Sequence, residues 1–366
     1  MAMITTSIFP SRYVQGAGAL NLLGEELARL GKKALLLLDP FVDDNFHKQI
    51  EQSCKSHVTC KFERFMGECS DEEISRLQNL VKGDIPDVVV GMGGGKSIDT
   101  AKYLADTLNR PVVVVPTLAS TDAPCSALSV VYTATGEYKR MVVFKENPRV
   151  VLVDSQLVAQ APVRFLVSGM GDALATWFEA EDCYNSHAPN MTGRQGSFTA
   201  YNLADFCYET LLEYGLLAVQ AVKRQIVTPA LERVIEANTL LSGLGFESGG
   251  LSGAHAIHNG FTALEPTHHY WHGEKVAMGV LSLLMLTDRS PDIIDEVYTF
   301  CEEVGLPTTL ADIGLTHVTQ DELLTVAKLA CAEGETIHNI AGGVTPQSVL
   351  AAICAADEEG RRRKAQ

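Results

Sequence analysis

Histidines are concentrated in one stretch of the chain, where their spacing could support metal chemistry. Five of the ten lie between positions 255 and 272. His255 and His258 are three residues apart and would share one helix face, and with the more distant His272 they could present imidazoles to one metal ion. A cluster without cysteine is typical of zinc or ferrous iron, and Asp172, in an apolar helical segment, is the candidate carboxylate ligand. By spacing alone an equal alternative stays open, in which Asp172 caps a helix and the histidines are structural.

A second chemical feature is the glycine-rich segment GMGGGKSIDTAK at residues 91–102. It follows a short β-branched run and precedes apolar residues at helical spacing, so the pattern predicts a strand, a glycine loop and a helix. The first amides of such a helix are unpaired and glycines let a ligand approach them, which makes a phosphate or pyrophosphate the expected guest. The segment fits neither GxxxxGK[ST] nor GxGxxG, because Val90 and Lys96 stand where those motifs need glycine. A tight turn without a ligand is the alternative.

Two further polar features follow predicted strands. In an open parallel sheet, ligands bind beyond the carboxyl ends of the strands. Asp39 ends the strand LLLLDP and suits hydrogen bonds to the two hydroxyls of an adenosine ribose, although an exposed turn aspartate explains it equally well. The loop PTLASTDAPCSAL, residues 116–128, is rich in hydroxyls and contains one carboxylate, Asp122. A loop of this length at a strand end is typical of a functional segment, and the predicted hairpin beyond it offers Leu128 and Tyr132.

The elements that must position these residues divide the chain into two parts. Up to about residue 162, short apolar runs alternate with helical patterns, which predicts an α/β domain built on a parallel sheet, with a hairpin turned near Thr135 and Gly136. Beyond that point helical patterns take over, so we expect an all-helical domain over residues 163–366. A cleft between the domains 1–162 and 163–366 is the expected place for a site.

Composition narrows the classes of partner and location. The chain has 366 residues, of which 29 are basic and 45 acidic, giving a net charge of −16. Neither a nucleic acid nor an anionic membrane would be attracted to such a field. Its longest apolar stretch, Val276 to Leu286, is too short to span a membrane. No signal peptide is evident in MAMITTSIFPSR and the nine cysteines form no CxxC pair, so we expect a cytoplasmic protein with reduced thiols.

Several segments together resemble one known family. GGGKSIDTAK, PTLASTDAPCSALSVVY, GDALATWFEA, GFESGGL, GAHAIHNG and HGEKVA are similar to the bacterial glycerol dehydrogenases, which are metal-dependent members of the iron-containing alcohol dehydrogenase superfamily. The resemblance extends from the first strand to near the C-terminus. It implies a dehydroquinate synthase-like fold, with a Rossmann-like α/β domain and an all-α C-terminal domain. It further implies NAD, a divalent metal in the cleft and a homo-oligomer, with an octamer as the expected size.

The resemblance also implies roles in metal and substrate binding. His258 would be a catalytic residue on the substrate side of the metal. Asp122 would be a catalytic residue that binds substrate hydroxyls, with Phe246 nearby. The metal ligands would be Asp172, His255 and His272, and His255 would also border the substrate.

The resemblance also implies which residues bind each part of the cofactor. The adenosine ribose would bind Asp39. Residues Gly94, Gly95, Lys96 and Asp99 would line the pyrophosphate. The nicotinamide half would be surrounded by Thr117, Ser120, Ser126, Leu128 and Tyr132.

The activity implied by the resemblance is oxidation of glycerol, or a related 1,2-diol, to dihydroxyacetone or the corresponding ketone. Zinc would activate the hydroxyl, with Fe²⁺ and Mn²⁺ as alternative metals. No side chain stands out as general base, so proton loss through solvent, the ribose hydroxyls or His258 stays open. One alternative is a related enzyme acting on a phosphorylated substrate, such as a glycerol-1-phosphate dehydrogenase or a dehydroquinate synthase. It is disfavoured because Asp122 would repel a phosphate and the histidine segment has one lysine, Lys275. The second alternative to this activity is a non-catalytic NAD-binding regulatory protein, in which the histidines are structural.

Overall fold

The computed structural model describes residues 4–365, which form a parallel sheet with flanking helices followed by a helical half. The strands are β1 (Tyr13–Gly16), β2 (Lys33–Leu38), β3 (Thr59–Arg64), β4 (Val88–Gly93), β5 (Val112–Pro116), β6 (Leu128–Tyr132), β7 (Tyr138–Val143) and β8 (Val150–Asp154). The helices of the first half are α1 (Leu23–Ala28), α2 (Pro40–Cys54), α3 (Asp71–Val81), α4 (Gly95–Leu108) and α5 (Ser155–Gln160).

Residues 163–365, the described part of the helical half, contain nine α-helices and one π-helical turn. They are α6 (Val163–Ser186), α7 (Phe198–Lys223), α8 (Pro229–Glu236), the π-helical turn Ala237–Leu241, α9 (Ser242–Gly249), α10 (Gly253–Phe261), α11 (His272–Leu286), α12 (Pro291–Val304), α13 (Gln320–Ala330) and α14 (Pro346–Lys364). None of the helices in residues 4–365 combines the length and the apolar character needed to cross a membrane.

The six-stranded sheet has the order β1-β8-β5-β4-β2-β3, and every pair in it is parallel. All residues of β4, β5 and β8 are buried, because helices cover both faces of the sheet. Alternate residues of β2 enter two cores: Leu36 and Leu38 face one, Leu35 and Leu37 the other. The predicted fold class, an α/β domain with a Rossmann-like sheet followed by an all-α region, is confirmed.

Two details of the first half concern the sequence expectations. The predicted hairpin is confirmed: β6 and β7 pair antiparallel, and Gly136 in their turn has φ 87°. β1 was not predicted, because its residues YVQG lack the apolar run of a buried strand.

The segment before β1 bonds to the helical half, since the Ile8 amide donates to Ser248 Oγ at 3.0 Å and the Thr6 amide to Gln195 O at 3.1 Å. The division at residue 162 stays a prediction.

Close backbone contacts bring the helices of the second half together. A Cβ on Gly273, at the second position of α11, would lie 1.7 Å from Ser168 O and 2.9 Å from Asp172 N, both on α6. A Cβ on Gly169 would lie 1.9 Å from Ala119 O, in the loop that follows β5. Only glycine permits these approaches, because the opposing atoms belong to the backbone and cannot rotate away.

We predict that Gly273→Ala will destabilise the protein by about 3 kcal/mol, because the added methyl group must separate α11 from α6. The measurement is the free energy of unfolding from denaturant titration. Gly83→Ala is the matched control, since Gly83 is exposed and a Cβ there meets no atom within 4 Å. Equal effects of the two substitutions would contradict the packing argument.

Candidate active site

The three predicted metal ligands come from three helices and meet at one point. Asp172 lies in the middle of α6 and is 1% exposed, so it caps no helix. His255 Nε2 lies 3.4 Å and His272 Nε2 3.0 Å from Asp172 Oδ1. One ligand atom from each residue lies within 4.8 Å of the others. The two imidazole nitrogens and the carboxylate oxygen therefore converge, as the ligands of a divalent metal do.

The carboxylate of Asp172 also has the electrostatics of a cation ligand. Its Oδ1 is buried and has no hydrogen-bond partner among the described residues. Burial disfavours the charge, but the neighbouring His272 and His255 outweigh burial and hold the pKa of Asp172 well below its usual range. A buried oxygen with unused lone pairs beside two imidazoles fits a metal ion, because it would otherwise leave a desolvated charge poorly compensated.

Glu179 orients one of these histidines, and sequence reasoning missed it. It lies seven residues after Asp172 on α6 and is fully buried. Its Oε1 accepts the backbone amides of Ser252 (2.9 Å) and His255 (3.0 Å), and His255 Nδ1 lies 2.6 Å from its Oε2. The carboxylate therefore caps α10 and turns Nε2 of the ring towards Asp172, as carboxylates behind metal-binding histidines do. The signal available in the sequence was the spacing of Asp172 and Glu179, which lie seven residues apart and therefore share one face of an apolar helix.

His258 lies beside the converging atoms without joining them. Its ring centroid is 4.3 Å from that of His272 and 6.5 Å from that of His255. Its Nδ1 lies 3.2 Å from Asn259 Oδ1. Burial and the nearby cationic groups lower the pKa of His258 well below its usual range. The ring is therefore held neutral at the edge of the site.

Asp122 is connected directly to the metal-ligand set. The backbone amide of Asp122 donates to Asp172 Oδ2 at 3.1 Å. The Ser242 hydroxyl donates to Asp122 Oδ2 at 2.8 Å. Burial and the carboxylate of Asp172 raise the pKa of Asp122 well above its ordinary value. Ser242 directly follows the π-helical turn Ala237–Leu241. Such turns are common at functional sites, and the sequence periodicity did not predict this one. Phe246 is buried on the same helix, α9.

The glycine loop forms an open cradle at the carboxyl edge of the sheet. Gly93 has φ 140°, and a Cβ there would lie 2.5 Å from Asp39 Cβ and 2.6 Å from Ser97 Oγ. Above the start of α4 the space is open: a Cβ on Gly95 would meet nothing within 4 Å, and one on Gly94 only a leucine side-chain carbon at 3.8 Å. The unpaired amides of a 14-residue helix therefore face free space, which fits a pyrophosphate.

The other predicted cofactor residues lie on α4, in the loop that leaves β5 and on β6. Lys96 Nζ lies 2.5 Å from Glu68 Oε1 and 5.2 Å from the centroid of the Tyr132 ring on β6. Asp99 is 6% exposed, and its carboxylate accepts the Val130 amide at 2.9 Å. Burial raises the pKa of Tyr132 to about 12. The loop that leaves β5 carries Thr117, Ser120 and Ser126, and Leu128 begins β6.

Glu247 joins the two halves of the chain, and no sequence signal was assigned to it. It is 2% exposed on α9. Its Oε1 accepts the Ala127 amide at 2.6 Å, and its Oε2 accepts Asn147 Nδ2 at 2.5 Å. Burial outweighs these hydrogen bonds and raises the pKa of Glu247 to about 7.

An open glycine loop that fits a pyrophosphate and an Asp–His–His set that fits a divalent metal are the two features expected of a nucleotide- and metal-dependent oxidoreductase. Residues 10–155 match the family described as iron-containing alcohol dehydrogenase. The glycerol dehydrogenase of Thermotoga maritima is 62% identical over 99% of both chains, and that of Citrobacter freundii is 49% identical over 96% of this chain and 97% of its own. The crystal structure of a probable glycerol dehydrogenase from Sinorhizobium meliloti superposes with a TM-score of 0.93 at 44% identity, covering 98% of this chain and 100% of that one.

The chain therefore belongs to the iron-containing alcohol dehydrogenase family and is an oxidoreductase. The predicted resemblance to the glycerol dehydrogenases is confirmed, because relatives of that name match over nearly the whole chain. The family is NAD- and metal-dependent, which agrees with the two parts of the site.

We predict that Glu247→Gln will change the pH dependence of stability. The folded-state pKa of about 7 exceeds the ordinary value of 4.5, so the folded protein keeps a proton that the unfolded chain loses between these values. Ionisation of Glu247 therefore lowers stability as the pH rises to about 7, and the glutamine variant avoids this cost. From pH 4 to pH 8, the unfolding free energy of the variant relative to wild type should rise by about 3 kcal/mol. Denaturant titration at both pH values tests this, with the exposed Glu51→Gln as control; a constant difference would contradict it.

Proposed function

We propose that this chain catalyses the NAD-dependent oxidation of glycerol to dihydroxyacetone, and of related 1,2-diols, with a divalent metal in the Asp172, His255 and His272 set. The carrying observation is the direct hydrogen bond from the backbone amide of Asp122 to Asp172 Oδ2, which brings residue 122 to the metal-ligand set. Relatives named glycerol dehydrogenase support the substrate class.

Zinc is the proposed metal, with Fe²⁺ and Mn²⁺ as alternatives; when bound it supplies a Lewis acid that lowers the pKa of a substrate hydroxyl. Glu179 holds His255 with Nε2 directed at the site. Asp122 accepts a hydrogen bond from the neighbouring hydroxyl of the substrate, so a vicinal diol is oriented better than a simple alcohol, and Phe246 and His255 border the substrate. His258 is the proposed proton acceptor, since a proton on Nδ1 facing Asn259 leaves Nε2 free to accept.

NAD is the proposed nucleotide and supplies the hydride acceptor. Asp39 binds the adenosine ribose and would repel a 2′-phosphate. The helix start at Gly94, Gly95 and Lys96, with Asp99 behind it, receives the pyrophosphate. The residues that would hold the nicotinamide half are Thr117, Ser120, Ser126, Leu128 and Tyr132.

We further propose a homo-oligomer, with an octamer as its size. Three large apolar side chains on α7 support assembly, because Phe198, Phe206 and Leu217 are 72%, 55% and 57% exposed. A cytoplasmic location stays a prediction.

We expect the purified enzyme to form NADH from NAD⁺ and glycerol, to lose this activity after chelator treatment and to regain it when zinc, Fe²⁺ or Mn²⁺ is restored. Asp172→Asn should lose both metal and activity while its circular dichroism spectrum is retained, because the charged ligand is removed. Elemental analysis of the variant provides the metal content. Metal retained by Asp172→Asn would refute the ligand assignment, and no NADH from any small diol with metal present would refute the activity.

Asp122→Ala should lower kcat/KM for glycerol about tenfold to a hundredfold more than for a monohydric alcohol, since only the diol loses a hydrogen bond to the carboxylate. The comparison uses steady-state kinetics on both substrates. Asp122→Asn, which keeps an acceptor oxygen, should retain part of the preference. Equal losses on both alcohols, at unchanged metal content, would rule out the orienting role.

A further inference from the structure

The loop that carries Asp122 rests on a buried lysine of α4. Lys102 is 2% exposed, although lysine is rarely buried. Its Nζ donates to Ala123 O, to Ser126 Oγ at 3.2 Å and to Leu128 O at 3.1 Å. The three hydrogens of one ammonium group are thus matched by three acceptors in one short segment, residues 123–128.

The charge of this lysine is compensated within the same helix. Asp99, one turn earlier on α4, has Oδ1 3.8 Å from Lys102 Nζ. Its other oxygen accepts the Val130 amide at 2.9 Å, and the Ser129 hydroxyl donates to the Asp99 carbonyl at 2.9 Å. Asp99 Oδ1 has no hydrogen-bond partner among the described residues, so its contact with the lysine is electrostatic, whereas the hydrogen bonds of Lys102 Nζ and Asp99 Oδ2 go to residues 123–130.

The segment held by Lys102 connects the two parts of the proposed site. Its N-terminal end adjoins Asp122, which bonds to Asp172. Its C-terminal end leads into β6, which carries Leu128 and Tyr132 at the proposed nicotinamide half. The start of α4, which would receive the pyrophosphate, is a separate part of the same helix.

We propose that Lys102 is a positioning residue: its buried ammonium holds residues 123–128 so that the nicotinamide half of the cofactor and the carboxylate of Asp122 are correctly placed, while Lys102 touches neither cofactor nor substrate. This inference rests on the proposed function, since it requires the cofactor to lie along the cradle and the loop. The adenosine part of the cofactor would depend on Asp39 and the pyrophosphate on the backbone of the glycine loop, with Asp99 behind it. Lys102 Nζ lies 3.8 Å from Asp99 Oδ1, so the test below includes Asp99→Asn.

The test compares binding of NADH with binding of ADP, which lacks the nicotinamide half. In Lys102→Met, the dissociation constant for NADH should rise about tenfold while that for ADP is unchanged, because the side chain keeps its length but loses its three hydrogen bonds. Titration calorimetry on the metal-loaded enzyme measures both constants. KM for glycerol should rise together with the NADH constant, since Asp122 adjoins the released segment.

A second variant and a control separate positioning from folding. Lys102→Met leaves the Asp99 charge buried and unpaired, which could prevent folding. Asp99→Asn/Lys102→Met removes both charges and retains an acceptor for the Val130 amide. Because Asp99 also lies at the proposed pyrophosphate site, this variant is compared with Asp99→Asn alone, relative to which it should bind NADH about tenfold more weakly and ADP equally well. Thr100→Val is the control, because Thr100 is fully buried on α4 and its hydroxyl bonds to Lys96 O; it should leave the ratio of the two constants unchanged.

The outcomes distinguish the inference from the function on which it rests. If the wild-type enzyme binds neither ADP nor NADH, the proposed function fails and the inference with it. If the wild type binds both and the lysine variants weaken ADP and NADH equally, or weaken neither, the proposed function stands and the positioning role is overturned. A selective loss of NADH supports the role.

Discussion

The buried carboxylate of Asp172 is the interaction on which the site depends. One of its oxygens faces the Nε2 atoms of two histidines and the other accepts the Asp122 amide. A buried charge is tolerated only when it is paired or binds a metal, so the surrounding elements must approach closely enough to compensate it. The same carboxylate thus ties the helical half to the loop that leaves the sheet.

Close approach of these elements is achieved by glycine rather than by side-chain packing. Gly273 and Gly169 let α11 and the loop after β5 reach the backbone of α6 within the turn that leads to Asp172. The helix that begins with His272 and the loop that carries Asp122 are consequently placed by main-chain contacts, which have little freedom to relax, while His255 is oriented by the Glu179 carboxylate. Rigid support of this kind is what a metal-dependent reaction requires of its ligands.

The loop between β5 and β6 is stabilised from both halves of the molecule. Lys102 on α4 binds it from the sheet side, and Glu247 on α9 binds it from the helical side. Asn238 in the π-helical turn adds a bond to Ala119 O at 2.9 Å. A hydroxyl-rich segment between two strands is therefore ordered by buried polar groups that bond to its backbone.

The sequence by itself determined the elements and the chemical types of the site. Alternating apolar runs and helical periodicity predicted the sheet and the helical half, because burial patterns are local. The spacing of His255, His258 and His272 made a metal site with Asp172 possible, and only the family resemblance reduced the predicted ligands to Asp172, His255 and His272. Tertiary structure alone decided which polar residues support them. Glu179 meets His255 across 76 residues and Glu247 meets Ala127 across 120, contacts that no local period encodes. β1 and the π-helical turn also escaped prediction, since each is stabilised by long-range packing and hydrogen bonds rather than by its own residue pattern.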